Sequence, residues 1–166
     1  VKYSGQSITL TILGQELTGN FEFELGSTGG GSNLVVASAS DVSTAFSQGV
    51  TNLLSLSNGQ GSLLLVSSGA AASISTDGSF NDSDVSAAGN FDIEINALSV
   101  AINESVNLND GRTISLNLNA GPFNLTKLTN GNLTISGRTL SGDFVFEQSP
   151  ISEYLGAAAS NITSLF

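Results

Sequence analysis

One stretch of the chain is written twice. Residues 10–24 read LTILGQELTGNFEFE and residues 133–147 read LTISGRTLSGDFVFE. The pairs Leu10/Leu133, Ile12/Ile135, Gly14/Gly137, Leu17/Leu140, Gly19/Gly142, Phe21/Phe144, Phe23/Phe146 and Glu24/Glu147 are identical at a constant separation of 123 residues. The likeness resumes downstream, where ASASDVSTAF at 37–46 matches AAASNITSLF at 157–166, now 120 residues apart. There Ala37/Ala157, Ala39/Ala159, Ser40/Ser160 and Phe46/Phe166 are identical and Val42/Ile162 is conservative. Self-similarity at a fixed spacing constrains architecture before any local propensity does. The chain reads as one full unit of about 120 residues, 1–130, followed by the start of the next, 131–166. The second copy stops at the phase that Phe46 holds in the first, and position 1 is not Met, so the expectation is a segment of a longer array.

A shorter echo lies inside the unit. Gly89-Asn90-Phe91-Asp92-Ile93-Glu94 follows the pattern of Gly19-Asn20-Phe21-Glu22-Phe23-Glu24 and Gly142-Asp143-Phe144-Val145-Phe146-Glu147. Strand side chains alternate between faces. The alternation therefore aims Phe21, Phe23, Phe91, Ile93, Phe144 and Phe146 at a core, and Asn20, Glu22, Glu24, Asn90, Asp92 and Glu94 the other way. Period-two alternation also predicts strands over Ser7–Leu13, Leu17–Leu25, Phe91–Ala97, Thr113–Leu118, Leu133–Ser136 and Leu140–Gln148. The continuous run Leu63–Val66 predicts a strand buried on both faces. Asn58-Gly59, Asp77-Gly78, Asp110-Gly111 and Asn130-Gly131 take positive φ readily and predict hairpin turns, hence antiparallel neighbours. The best helix candidate is Ile151–Phe166, yet its partner near 37–46 is rich in Ser, Val and Thr, so either a short helix or a strand is open at both places.

Composition limits the chemistry. A 40% apolar, 11% charged chain is the opposite of a disordered one. The net charge of −10, with only Lys2, Lys127, Arg112 and Arg138 positive, repels phosphate backbones and anionic lipid. Nucleic acid is excluded as a natural partner, and no apolar run reaches the length a helix needs to cross a bilayer. A signal peptide, if there is one, lies upstream of Val1. Without His, a Ser-His-Asp triad and imidazole ligands are impossible; without Cys, so are disulfides and thiolate sites. A Ser–Lys dyad would have to use Lys2 or Lys127, and neither lies in a recognisable motif. No phosphate-binding glycine loop occurs. A carboxylate pair for glycoside hydrolysis needs only Asp or Glu, but the chain has no Trp to stack a sugar. The reading is not an enzyme.

Metal binding has one candidate. The segment 77–84 holds Asp77, Asn81, Asp82 and Asp84, four oxygen-bearing side chains suited to calcium. The spacing does not fit an EF-hand, and the competing reading is a solvated loop using Asp and Asn to turn. The acidic strand faces at Glu22/Glu24, Asp92/Glu94 and Glu147 could bind cations if their strands were neighbours; like charges facing each other in a sheet argue against it. Triplets of the N-x-[ST] kind start at Asn81, Asn103, Asn124, Asn132 and Asn161, a signal of low specificity in so Asn- and Ser-rich a chain.

LTISGRTLSGDFVFEQ, with its counterpart LTILGQELTGNFEFEL, resembles units of giant bacterial surface proteins built from tandem β-rich repeats, adhesin-like and extracellular. The segment Asn58–Leu65, NGQGSLLL, is similar to the middle of such units. The resemblance implies a secreted or cell-surface location and a structural or adhesive role, and carries over no catalytic residue. The expected fold is all-β, elongated, with mostly antiparallel sheets or a sandwich of tandem repeats of about 120 residues; the alternative is a parallel β-solenoid. The expected function is a rigid spacer or filament subunit, whose partners are neighbouring repeats or identical chains joined by strand augmentation. The alternative is an adhesin or carbohydrate-binding module with calcium support and surface glycans as partners.

Overall fold

The computed structural model describes residues 2–27, 33–48, 51–81, 85–107, 113–148 and 155–164. Among them no helix occurs. The strands are β1 (Lys2–Ile12), β2 (Gln15–Ser27), β3 (Asn33–Gln48), β4 (Thr51–Val66), β5 (Gly69–Asn81), β6 (Val85–Asn96), β7 (Ile102–Asn107), β8 (Thr113–Leu118), β9 (Phe123–Ile135), β10 (Arg138–Gln148) and β11 (Leu155–Ser164). Nine form one antiparallel sheet in the order β1-β2-β3-β4-β5-β6-β9-β10-β11, and β7 and β8 pair as a separate hairpin. The regions expected to be helix or strand, around 37–46 and 157–164, are strands. The unit boundary placed at 130/131 falls inside β9.

The sheet buries both faces differently. On one, side chains from eight strands form a single cluster that includes Leu17, Phe21, Val42, Leu63, Ile74, Phe91, Ile93, Leu128 and Phe144. No second layer among the described residues covers this face, so the sheet curls around the cluster without closing into a barrel. On the other face the β7–β8 hairpin, through Ile102, Leu116 and Leu118, covers Leu34, Val36, Leu64 and Ala71. The neighbours Leu63 and Leu64 thus enter different clusters, which is why that run has no polar member. Each fully buried Phe, Leu or Ile contributes about 1.5–3 kcal/mol. Asn96 anchors the hairpin to the sheet: its Nδ2 donates to the carbonyls of Val100 (3.0 Å) and Asn119 (2.7 Å), and its Oδ1 accepts from the Leu98 N–H (2.9 Å).

The curl has a local cause. Ser7, Asp41, Asn58, Asn130 and Asn161 have φ between 49° and 61°, and each sits where the strand register shifts. These are β-bulges, which bend a strand and sharpen its twist. Each also changes the phase of alternation, so inward positions run Ala37, Ala39 and then Val42, Thr44. Three dipeptides expected to be hairpin turns are therefore corrected: Asn58-Gly59 and Asn130-Gly131 are bulges within β4 and β9, and Asp77-Gly78 lies in the body of β5. Positive φ serves a bulge as well as a turn, and the dipeptide does not distinguish them. Asp110-Gly111 lies outside the described residues. Among the described residues two-residue turns fall at Leu13-Gly14, Ser67-Ser68 and Ser136-Gly137; in the first and last both residues have positive φ, as a hairpin turn of type I′ requires.

Candidate functional site

The two matching segments fold alike. Phe21 faces Ala39 and Phe144 faces Ala159; Phe23 faces Ala37 and Phe146 faces Ala157; Asn20 faces Ser40 and Asp143 faces Ser160. In each segment one side chain joins three strands at a pair of bulges. Asn20 Oδ1 accepts the Ser7 N–H (3.2 Å) and its Nδ2 donates to Asp41 Oδ2 (2.8 Å). In the other segment Asp143 Oδ1 accepts the Asn130 N–H (2.9 Å) and its Oδ2 accepts from Asn161 Nδ2 (2.8 Å). The amide and the carboxylate have exchanged strands while the bracket is kept. The backbone hydrogen bond from Asn130, then the one from Asn161, hold the Asp143 carboxyl below its ordinary pKa. Beside each bracket stands a glycine where the bulged neighbour comes close. A Cβ on Gly19 would lie 3.0 Å from the Ser40 carbonyl oxygen and 3.0 Å from Val42 Cγ2; one on Gly142 would lie 2.9 Å from the Ser160 carbonyl oxygen and 2.7 Å from Ile162 Cδ1.

Next to the first bracket lies an open polar hollow of about 660 Å³, lined by Ser4, Gln6, Asn20, Glu22, Ser38, Ser40 and Gln60 over small Gly5 and Ala39. It occupies the hairpin-bearing face, two residues along β3 and β4 from the patch that the hairpin covers: Val36 gives way to Ser38 and Leu64 to Ser62. Its hydroxyls and amides can exchange hydrogen bonds with a polar ligand. Glu22 is ion-paired to Lys2 at 2.6 Å, and Phe21 turns its ring into the core, leaving no aromatic face for a sugar to stack on. The matching positions in the second segment are Lys127 for Ser4, Thr129 for Gln6, Val145 for Glu22, Ala158 for Ser38 and Ser160 for Ser40, so the bracket recurs while the lining loses two of its polar groups.

The calcium candidates are not brought together by the described residues. Asp77 lies on β5, where its Oδ1 accepts from Asn90 Nδ2 (3.3 Å). Asn81 ends the same strand opposite Ser86. Four residues of strand separate their Cα atoms by about 13 Å. Asp82 and Asp84 lie outside the described residues. Among the described residues no group of three or more His, Cys, Asp or Glu side chains is placed to hold a metal. The acidic faces do not meet: β3, β4 and β5 separate β2 from β6, and Glu94 pairs with Lys127 at 2.6 Å. Glu24, expected to face solvent, is buried. It shares its face with Val36, its partner on β3, and that face is the one the hairpin covers. Of the glycosylation triplets, Asn124 is buried and Asn161 is committed to Asp143.

Sequence reasoning missed the bracket, since its members come from strands distant in sequence. The exchange of Asn20 for Asp143 and of Asp41 for Asn161 between otherwise matching segments was the signal that could have found it. No protein-family model, curated protein or solved structure matches the chain.

Proposed function

We propose that the chain is a structural module of a secreted or cell-surface repeat protein, a rigid spacer or fibre segment whose units join by extending one sheet. The carrying observation is the contrast between what recurs and what does not. Bulge, bracket and close-packed glycine recur at Asn20 and Asp143, whereas in the lining of the hollow Glu22 and Ser38 give way to Val145 and Ala158. A surface that met the same ligand in every unit would repeat its polar groups, whereas a surface that shapes a sheet need repeat only its bends. An acidic chain without His or Cys suits this role, and the resemblance to giant surface proteins favours an extracellular place. Electron microscopy of the native full-length protein tests it. Stiff rods of constant width, with length proportional to the number of units, are expected; beads on a flexible string would overturn the reading.

A second reading, an adhesive or glycan-binding module with calcium support, is favoured by the hollow alone. Glycan binding lost in Glu22→Ala or Gln60→Ala without change in melting temperature would support it. A melting temperature raised by calcium and lowered by chelator would support its metal component.

A further inference from the structure

We propose that β11 seats a strand of the β4 kind from the next copy of this fold, antiparallel and in the register β3 keeps with β4. This rests on reading the chain as a repeat-protein module. Strand β11 matches β3 in sequence, in its partner residues on β10 and in its bulge at Asn161. The outer edge of β3 holds β4, with Ala37 opposite Leu63, Ala39 opposite Gly61 and Val42 opposite Gly59. The outer edge of β11 has no partner strand among the described residues.

The side chains point to the same occupant. Val42 is buried because β4 closes tightly over it: a Cβ on Gly59 would lie 3.0 Å from the Val42 carbonyl oxygen, 3.3 Å from its Cβ and 2.7 Å from Ile74 Cγ2. Ile162, at the matching place on β11, stands exposed. An exposed apolar residue on an unpaired edge invites another strand. The register follows by substitution: a Leu63-type residue opposite Ala157, a Gly61-type residue opposite Ala159 and a Gly59-type residue opposite Ile162. Only a strand with glycine there can approach as β4 approaches β3.

The opposite edge of the sheet agrees. β1 matches β9, and the second edge of β9 holds β6, with Ala87 opposite Leu133 and Phe91 opposite Leu128. A β6-type strand on β1 and a β4-type strand on β11 extend the sheet with one period, β1 to β6, the β7–β8 hairpin standing off it. Six strands at about 4.8 Å give about 29 Å of sheet per unit, an upper bound on the axial rise once the sheet coils.

The test lengthens the chain. Phe166 holds the phase of Phe46, so a copy of residues 47–81 is appended after it, and amide exchange is followed on β11. Protection of β11 must rise by about tenfold or more over the 166-residue chain, while β2 and β3 are unchanged. Gly59→Val within the appended copy must abolish the gain. Equal exchange with and without the extension overturns the proposal. As a second measurement, a peptide of residues 51–66 is added to the 166-residue chain. It must shift the Ile162 methyl resonance and leave that of Val42 in place; binding that leaves Ile162 unmoved overturns the register. Concentration-dependent association that protects β1 and β11 together would overturn it in favour of direct edge-to-edge pairing. Failure here leaves stiff native rods standing, because units could join through other contacts; failure of the rods with β11 seated would fault the spacer reading instead.

Discussion

The strands β1-β2-β3 and β9-β10-β11 share sequence, register, bulges and brackets, yet they differ in burial. Phe21 and Phe144 are equally enclosed, at 1% and 3% exposed. Ile12 is 4% exposed and its counterpart Ile135 46%; Val42 is 1% exposed and its counterpart Ile162 40%. Local sequence therefore decides where a strand bends and which partner residue it faces. What lies over or beside it decides how much apolar surface is removed from water. Identical residues can thus contribute very different amounts to stability, since the hydrophobic term follows the area buried.

The largest expected effect breaks the symmetry between the two segments. Val42→Asp places an unpaired charge between β2 and β4 and should cost more than about 4 kcal/mol in denaturant unfolding, enough to unfold a marginal domain. Ile162→Asp should cost about 1 kcal/mol or less, because water already reaches that site. Comparable losses at both positions would mean that β11 is covered after all. The next effect tests the shared part: Phe21→Ala and Phe144→Ala should each cost about 3–5 kcal/mol, with similar values, because both rings lie in one cluster. A loss confined to Phe21 would show that the second segment is not packed as the first is.

The smallest effect concerns acid. The folded pKa of Asp143 is depressed, so its bracket stabilises fully above the ordinary carboxylate value of about 3.9 and the contribution is lost as pH falls through the lower folded value. Asn20, at the centre of the other bracket, does not titrate, and the carboxylate there, Asp41, accepts one hydrogen bond from the bracket where Asp143 accepts two. Amide exchange on β11, corrected for its intrinsic pH dependence, should therefore quicken below about pH 4 while that on β3 changes less. Asp143→Asn should remove the difference. An unchanged difference in that variant would place the acid sensitivity elsewhere.

Much of the strand pattern was legible. Thr113–Leu118 is a strand with the expected bounds, the inward aromatic positions are inward, and Leu63–Val66 lies between two apolar clusters. Three features were not legible, for separate reasons. Asn-Gly marks positive φ without saying whether the chain reverses or bulges, so two turns were expected inside β4 and β9. Leu13-Gly14 does reverse the chain, but Leu is not a residue that announces a turn. The cover over Val36 and Leu64 comes from β7 and β8, more than sixty positions from Val36, a long-range contact that no local pattern encodes. The polar hollow was hidden for a related reason: Ser4, Glu22, Ser38 and Gln60 belong to four strands, and each alone reads as ordinary solvent-facing polarity.

Cross-strand proton contacts in solution measure the equivalence of β2–β3 and β10–β11 directly. NMR should show the pairings Asn20–Ser40, Phe21–Ala39, Asp143–Ser160 and Phe144–Ala159 together, with the register shifting at Asp41 and at Asn161 alike. Contacts for the first two pairs only, or helical contacts over 157–164, would contradict it.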